Sequence, residues 1–393
     1  MIYFIYFTLL LFIAAYGFQR QGRILSLIIT FITFACTYPA GGDWIGYFLN
    51  YDCIENSICT VNTPTFEFGF NIFVSAFGGL GFLGYNALIV AFNVYAINRF
   101  SKKFENPAFI FFALMSFFSW VIYIEAIRQS IAISLLLIAI PYLFSKEKYK
   151  YALLIILATT FHTTALIGLI FLIPMISVRL SKLSSFGVLI VSIIFLVMPV
   201  VTLNMVYMLL QPGSIAQQKL SYYLSSEAYQ PQFSAGIGTI FDFLLLFIVI
   251  KTYLNINKHN DFQKSSLNII IPGVVLYFSF SIIIGKMMPV MTRIGWYGVP
   301  FLVIFLSANI SNSIFIEKIN YRAKIPLIRI WLYLFLISQI ARPLLYDHSR
   351  YGILNQTTIF QQVNYLDDRG LYARAEQKCQ VLHKMGLTFL CSI

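Results

Sequence analysis

Apolar runs of about 20 residues recur along the chain from Ile2 to Arg342, separated by short polar or basic stretches. As a helix rising 1.5 Å per residue, such a run crosses the roughly 30 Å hydrocarbon core of a bilayer. Almost none of the runs alternates polar and apolar residues, the pattern of a membrane β-strand. In lipid every backbone N–H and C=O must be satisfied within the protein, so these runs fold as helices. The chain therefore reads as an all-α polytopic integral membrane protein of about 10–12 transmembrane helices. With 59% hydrophobic and 11% charged residues, a soluble globule around one core is excluded. The formal charge of +12 is spread over short Lys and Arg clusters between the runs, which orient a membrane protein and argue against nucleic acid as a partner. The first run lacks a basic flank and a small-residue cleavage site, so it is expected to remain as a span.

The basic clusters assign sides by the positive-inside rule. Arg20 and Arg23, then Arg99, Lys102 and Lys103, then Lys146, Lys148 and Lys150 fall inside, as do Lys251, Lys258, Lys264, Lys318, Arg322 and Lys324. Residues 39–67 then lie outside, carrying Asp43, Asp52, Glu55 and Glu67 with no Lys or Arg. The domain organisation is a transmembrane domain over 1–341, with outer loops 39–67 and 211–236, followed by an outer tail over 342–393. The second loop, rich in Gln, Ser and Tyr, is a candidate lid or substrate-binding loop. The run from Tyr151 to Val178 has basic residues at both ends. Two half-length segments meeting near Phe161-His162 keep both ends inside, which predicts a re-entrant pair with His162 at its apex. The alternative is one long tilted helix. Of the five cysteines, Cys53 and Cys59 share the first outer loop and Cys379 and Cys391 share the tail, the compartment where disulfides persist. Local pairs are one reading and free thiols the other.

Ionisable groups among apolar runs are costly and mark function. Glu125-Ala126-Ile127-Arg128-Gln129 and Phe161-His162 are the leading cases. On the outer face they join Gly41-Gly42-Asp43-Trp44 with Tyr47, Glu67, and Lys286 with Arg293 and Tyr297. An arginine's planar fork suits a phosphate, so Arg128 and Arg293, with Lys286, are candidates for holding a pyrophosphate. Gln129, Tyr47 and Tyr297 are further candidates for contacting the pyrophosphate or sugar of the same substrate. A glycosyl transfer also needs a proton acceptor, for which His162, Asp43, Glu67 and Glu125 are the candidates. Structural readings stand beside these: a Glu125–Arg128 bridge one helical turn apart, a snorkelling Arg293, and Asp43 as a turn former. Walker A, HExxH, zinc-type cysteine pairs and an outer Asp-x-Asp are all absent from the sequence. No metal and no cofactor is therefore expected.

Five stretches resemble the EpsG-like, Wzy-type polysaccharide polymerases: GGDWIGYFLNY at Gly41–Tyr51, FEFGFNIF at Phe66–Phe73, IRQSIAISLLLIAIPYLF at Ile127–Phe144, KYKYALLIILATTFHTTALIGLIFLIP at Lys148–Pro174, and RIGWYGVPF at Arg293–Phe301. The resemblance implies a GT-C-like, multi-pass glycosyltransferase of the bacterial inner membrane with its site facing the periplasm. Its substrates would be undecaprenyl-pyrophosphate-linked repeat units as donor and acceptor, joined into O-antigen, capsule or exopolysaccharide. A chain-length regulator is a possible partner. On that reading Arg128 and Arg293 hold pyrophosphate, and Asp43, Glu67 or His162 serves the acceptor hydroxyl. An O-antigen ligase or another lipid-carrier-dependent glycosyltransferase would share such a site. A lipid-linked sugar transporter or flippase would more often show two related halves, and no repeat of the Arg-Gln or Phe-His elements is visible.

Overall fold

The computed structural model describes residues 1–16, 19–59, 63–213, 236–256, 261–309 and 326–384, with a few isolated positions between 217 and 233 and Cys391. It is helical throughout, and its β content among the described residues is one isolated bridge between Thr37 and Thr358. Seven helices are long and apolar enough to cross a membrane, and four shorter apolar helices accompany them, among the described residues. This is an all-α polytopic membrane protein. The basic cluster Lys318, Arg322 and Lys324, Lys258, and most of the loop 211–236 lie outside the described residues.

Two helices form the centre, Pro107–Trp120 and Ile127–Phe144. They are buried on nearly every side because they are apolar on nearly every side, with no polar face to turn outward. Small and polar residues make the close interhelical ties. Asn93 donates to Ser130 at 2.9 Å and accepts from Ser134 at 2.8 Å, joining Gly81–Ser101 to Ile127–Phe144. Tyr3 donates to the Ile340 carbonyl at 2.9 Å, joining the first helix, Ile2–Tyr16, to Pro326–Ala341. Peripheral helices such as Val178–Val197 leave Leu183, Phe186, Val191 and Ile194 exposed, as a lipid-facing surface requires. The apolar run after Val178 is interrupted at Met198, where Pro199 starts a second helix, Pro199–Leu209.

The body has two chemically different ends. At one, Arg23 donates to Asn98, Arg99 to Tyr142 at 3.2 Å, and Lys150 lies over the Tyr142 ring, so segments assigned to the inner side meet. At the other, the first loop meets the tail: Tyr38 donates to the Tyr365 carbonyl at 2.7 Å, and Tyr372 donates to Asp52. Both cysteine pairs, Cys53–Cys59 and Cys379–Cys391, are disulfides. The first loop is not irregular, as its polarity suggested. It holds a helix, Trp44–Glu55, whose Trp44, Tyr47, Phe48 and Tyr51 recur at the i, i+3, i+4, i+7 spacing of a buried stripe. They pack on Phe66, Phe70, Phe82, Tyr85 and Tyr372.

The chain reverses at His162. The helix Lys148–Phe161 is about 21 Å long at 1.5 Å per residue, too short to cross a bilayer. His162 takes an extended conformation, φ −155° and ψ 114°, and the chain returns as a 3₁₀ segment, Thr163–Leu172. The two limbs pack side by side. Tyr151 donates to the Gly168 carbonyl at 2.8 Å, and a Cβ at Gly168 would sit 3.1 Å from Ile155. The chain thus forms a hairpin with His162 at its apex, the shape expected of a re-entrant pair.

Candidate active site

Arg128 stands in the first turn of Ile127–Phe144. The N-terminal end of a helix carries a partial positive charge that disfavours a cation and favours an anion, so an arginine there raises an already positive potential. Its guanidinium pairs with Glu67, lies 4.0 Å from the Phe66 ring centroid and 5.8 Å from that of Tyr47. Its Nε is buried and has no hydrogen-bond partner among the described residues. The fork is clamped on one side and has a donor to spare on the other.

Glu67 occupies the N-cap of Phe68–Phe77, yet its side chain makes no capping bond. Instead one carboxylate oxygen takes Arg128, and the other accepts from the Thr163 hydroxyl at 3.1 Å and the Thr163 amide at 3.4 Å. Burial, the largest single influence, pushes this carboxyl up, but the Arg128 guanidinium, backbone hydrogen bonds including that from Thr163, and the nearby His162 together hold it below the usual carboxylate range. Close approach makes this contact geometrically possible. A Cβ at Gly69 would fall 2.8 Å from the Thr160 carbonyl oxygen, so only glycine lets the start of this helix reach the hairpin tip.

From the tip, His162 Nδ1 bonds the Thr164 hydroxyl at 2.6 Å, and that hydroxyl bonds Tyr297 Oη at 3.1 Å. Tyr297 is fully buried. Gln129 donates to the Arg293 carbonyl at 2.7 Å and so fixes the backbone from which Arg293 projects. Arg293 in turn meets Asp43 at 3.3 Å across a half-open rim. Five separate segments thus bring Asp43, Glu67, Arg128, Gln129, His162, Arg293 and Tyr297 to one end of the body, with Tyr47 backing Arg128. Thr163 and Thr164, missed in the sequence reading, complete it. Their signal was adjacency, since both follow His162 directly.

Two sequence candidates lie elsewhere. Glu125 is buried and accepts from Trp120 Nε1 at 2.9 Å and the Ser349 hydroxyl at 2.7 Å. The expected bridge to Arg128 is replaced by Arg128–Glu67. Residues Val121–Glu125 form a π-helical turn and Ala126 leaves helical geometry, which turns Glu125 away from the next helix. There Glu125 supports the first loop, where Gly41 has φ +84° and a Cβ would lie 2.9 Å from Glu125 Cγ. Lys286 was grouped with Arg293 but turns to Asp242, at 2.7 Å, with Arg342 at 3.5 Å from the same carboxyl. Asp242 is buried between two cations, so Asp242→Ala leaves both without a counter-charge. We expect a loss of about 3–5 kcal/mol, read as a lower thermal midpoint in detergent; an unchanged midpoint would refute this role.

The described residues contain no group of His, Cys, Asp and Glu arranged to hold a metal ion. What the site does contain is a pair of arginines, each held by a carboxylate, beside an oriented histidine. The chemistry of such a set suits an anion and a proton to be taken up. Comparison with known proteins finds no matching curated protein and no matching solved structure. The model of the EpsG family matches residues 22–348, which include every residue of this site. The chain belongs to the EpsG family, and membership implies a polysaccharide-polymerase-like role of the glycosyltransferase type.

Proposed function

We propose that the protein joins lipid-linked oligosaccharide repeat units into a polysaccharide, the repeats being carried on undecaprenyl pyrophosphate and the site facing the periplasm. The observation that carries the reading is the convergence of Arg128, Arg293 and His162 at one end of a membrane-spanning body. That end also bears both disulfides, as a periplasmic surface would.

In the reaction an acceptor hydroxyl attacks the anomeric carbon of the donor glycan. The new C–O glycosidic bond forms as the bond from that carbon to the pyrophosphate oxygen breaks. The lipid pyrophosphate leaves as an anion, and the acceptor proton goes to a base. Arg128 and Arg293 hold the pyrophosphate and stabilise its growing charge. The rim pair Arg293–Asp43 is exposed enough to open at little cost and admit the phosphate. Glu67, held as an anion by Arg128 and Thr163, is a weak base and serves to aim Arg128. Histidine ordinarily titrates at about 6.5, and His162 is oriented through Thr164 and Tyr297, so it takes the proton.

The test is a gel ladder of surface glycan from the host with this gene deleted and then restored. Deletion is expected to collapse the ladder to a single-repeat band, with restoration returning it. An unchanged ladder would sink the reading. Loss of all surface glycan, with lipid-linked repeats accumulating inside, would replace it with a transporter.

A further inference from the structure

A second cleft opens at the same end of the molecule, under the helix Asp368–Lys384. The cleft is small, about 120 Å³, and opens to solvent at its mouth. One wall is the stripe Arg374, Gln377, Lys378 and Val381, spaced to share a helix face. The opposite wall is aromatic and small: Tyr38, Gly41, Trp44 and Tyr351 among others. Glycines shape the gap. A Cβ at Gly352 would fall 2.7 Å from the Trp120 ring and 3.2 Å from the Gly41 amide nitrogen.

The charge on these walls is unbalanced. No carboxylate among the described residues comes within 4.0 Å of the Lys378 or Arg374 nitrogens. Arg374 bonds the Gln377 amide oxygen at 3.2 Å, and the Lys378 ammonium lies 4.7 Å from the Tyr351 ring centroid. Burial among the cleft walls pushes the Lys378 amine down to about 8, against the opposing pull of the buried Glu125 carboxylate behind Gly41. A planar guanidinium, an ammonium, an amide and aromatic rings around one gap match a sugar ring bearing an anionic group.

Position supplies the rest. Gly41 lines this cleft, and two residues on Asp43 meets Arg293 in the reaction centre. The first loop thus contributes to both the cleft and the site. The family match ends at residue 348, whereas Arg374, Gln377 and Lys378 lie beyond it.

We infer that the cleft between the first loop and the C-terminal helix is a glycan subsite for an anionic sugar of the repeat unit, with Lys378 and Arg374 facing its negative group. The inference rests on the polymerase reading for its biological setting, and its test is independent of the ladder. Full-length protein purified in detergent is titrated calorimetrically with fragments of one to three repeats cut from the host's own surface polysaccharide. The fragments are used untreated, after reduction of carboxyl groups to alcohols, and after removal of phosphate. Untreated fragments should bind, and the pair Lys378→Gln with Arg374→Gln should bind at least tenfold more weakly, while Lys378→Arg retains binding. Weakening by carboxyl reduction identifies an acidic sugar, and weakening by phosphate removal a phosphorylated one; either supports the subsite. Equal binding of all three forms, equal binding by the paired variant, or no binding by the wild type would overturn it. If gene deletion leaves the ladder intact while binding still depends on Lys378, the polymerase reading falls and the subsite stands.

Discussion

Arg128→Ala is expected to lower chain elongation by about 10²–10³-fold, the usual effect of removing one preorganised donor from a developing anion. The protein should still insert and reach normal abundance, because the pair with Glu67 is partly solvated and its loss is discounted by that exposure. The assay is the glycan ladder in a deletion host complemented with the variant, beside an immunoblot of its membranes. Normal long chains from the alanine variant would remove Arg128 from the reaction centre. Arg128→Lys separates two accounts of the residue. Lysine restores the charge, but it has neither the flat face that lies on Phe66 nor the second donor that leaves Nε available while an Nη holds Glu67. It should therefore fail nearly as badly as alanine, and full activity with lysine would show that only a point charge is needed.

Glu125 makes the opposite expectation, and the contrast between amide and alanine decides it. Both donors, Trp120 Nε1 and the Ser349 hydroxyl, reach the same oxygen, Oε1. Glutamine places a carbonyl oxygen there and keeps both bonds, so Glu125→Gln should retain stability and elongation. Alanine leaves two buried donors unsatisfied at about 1–3 kcal/mol each. Glu125→Ala should lower the thermal midpoint in detergent and reduce elongation indirectly, by loosening the Gly41 turn that carries Asp43. Were Glu125 a proton acceptor, the amide would cost about 10²–10⁴-fold in rate. A dead but well-folded Glu125→Gln would return it to the list of catalytic groups.

These residues also mark the limits of reading the chain alone. The hairpin at His162 was legible because the positive-inside rule is global: two basic ends favour a reversal over one long tilted helix. So was the convergence of Asp43, Glu67, Arg128, His162 and Arg293, which needed only that all five be assigned to one side. Pairing within the site was not legible. Spacing favoured Glu125 for Arg128, whereas the true partner is 61 residues earlier and is selected by the π-turn and by the missing Cβ at Gly69. Lys286 was drawn to Arg293 by their shared turn. The correct partner had announced itself, since Asp242 is an acid within an apolar run and so demands a cation. The helix Trp44–Glu55 was lost for a simpler reason. Its polar residues set the reading for the whole loop, and the aromatic stripe was not counted against them.

The returning limb of the hairpin has a mechanical consequence. Ten residues wound as a 3₁₀ helix are unusual, because such runs seldom exceed one turn. At about 2.0 Å per residue the segment Thr163–Leu172 spans about 20 Å, against about 15 Å for the same residues wound as an α-helix. The winding of this limb therefore sets the height of the tip like the thread of a screw. With Gly168 held by Tyr151, the five residues Thr163–Ile167 above it span about 10 Å as a 3₁₀ helix against about 7.5 Å as an α-helix, so rewinding them would shift the His162 tip by about 2.5 Å.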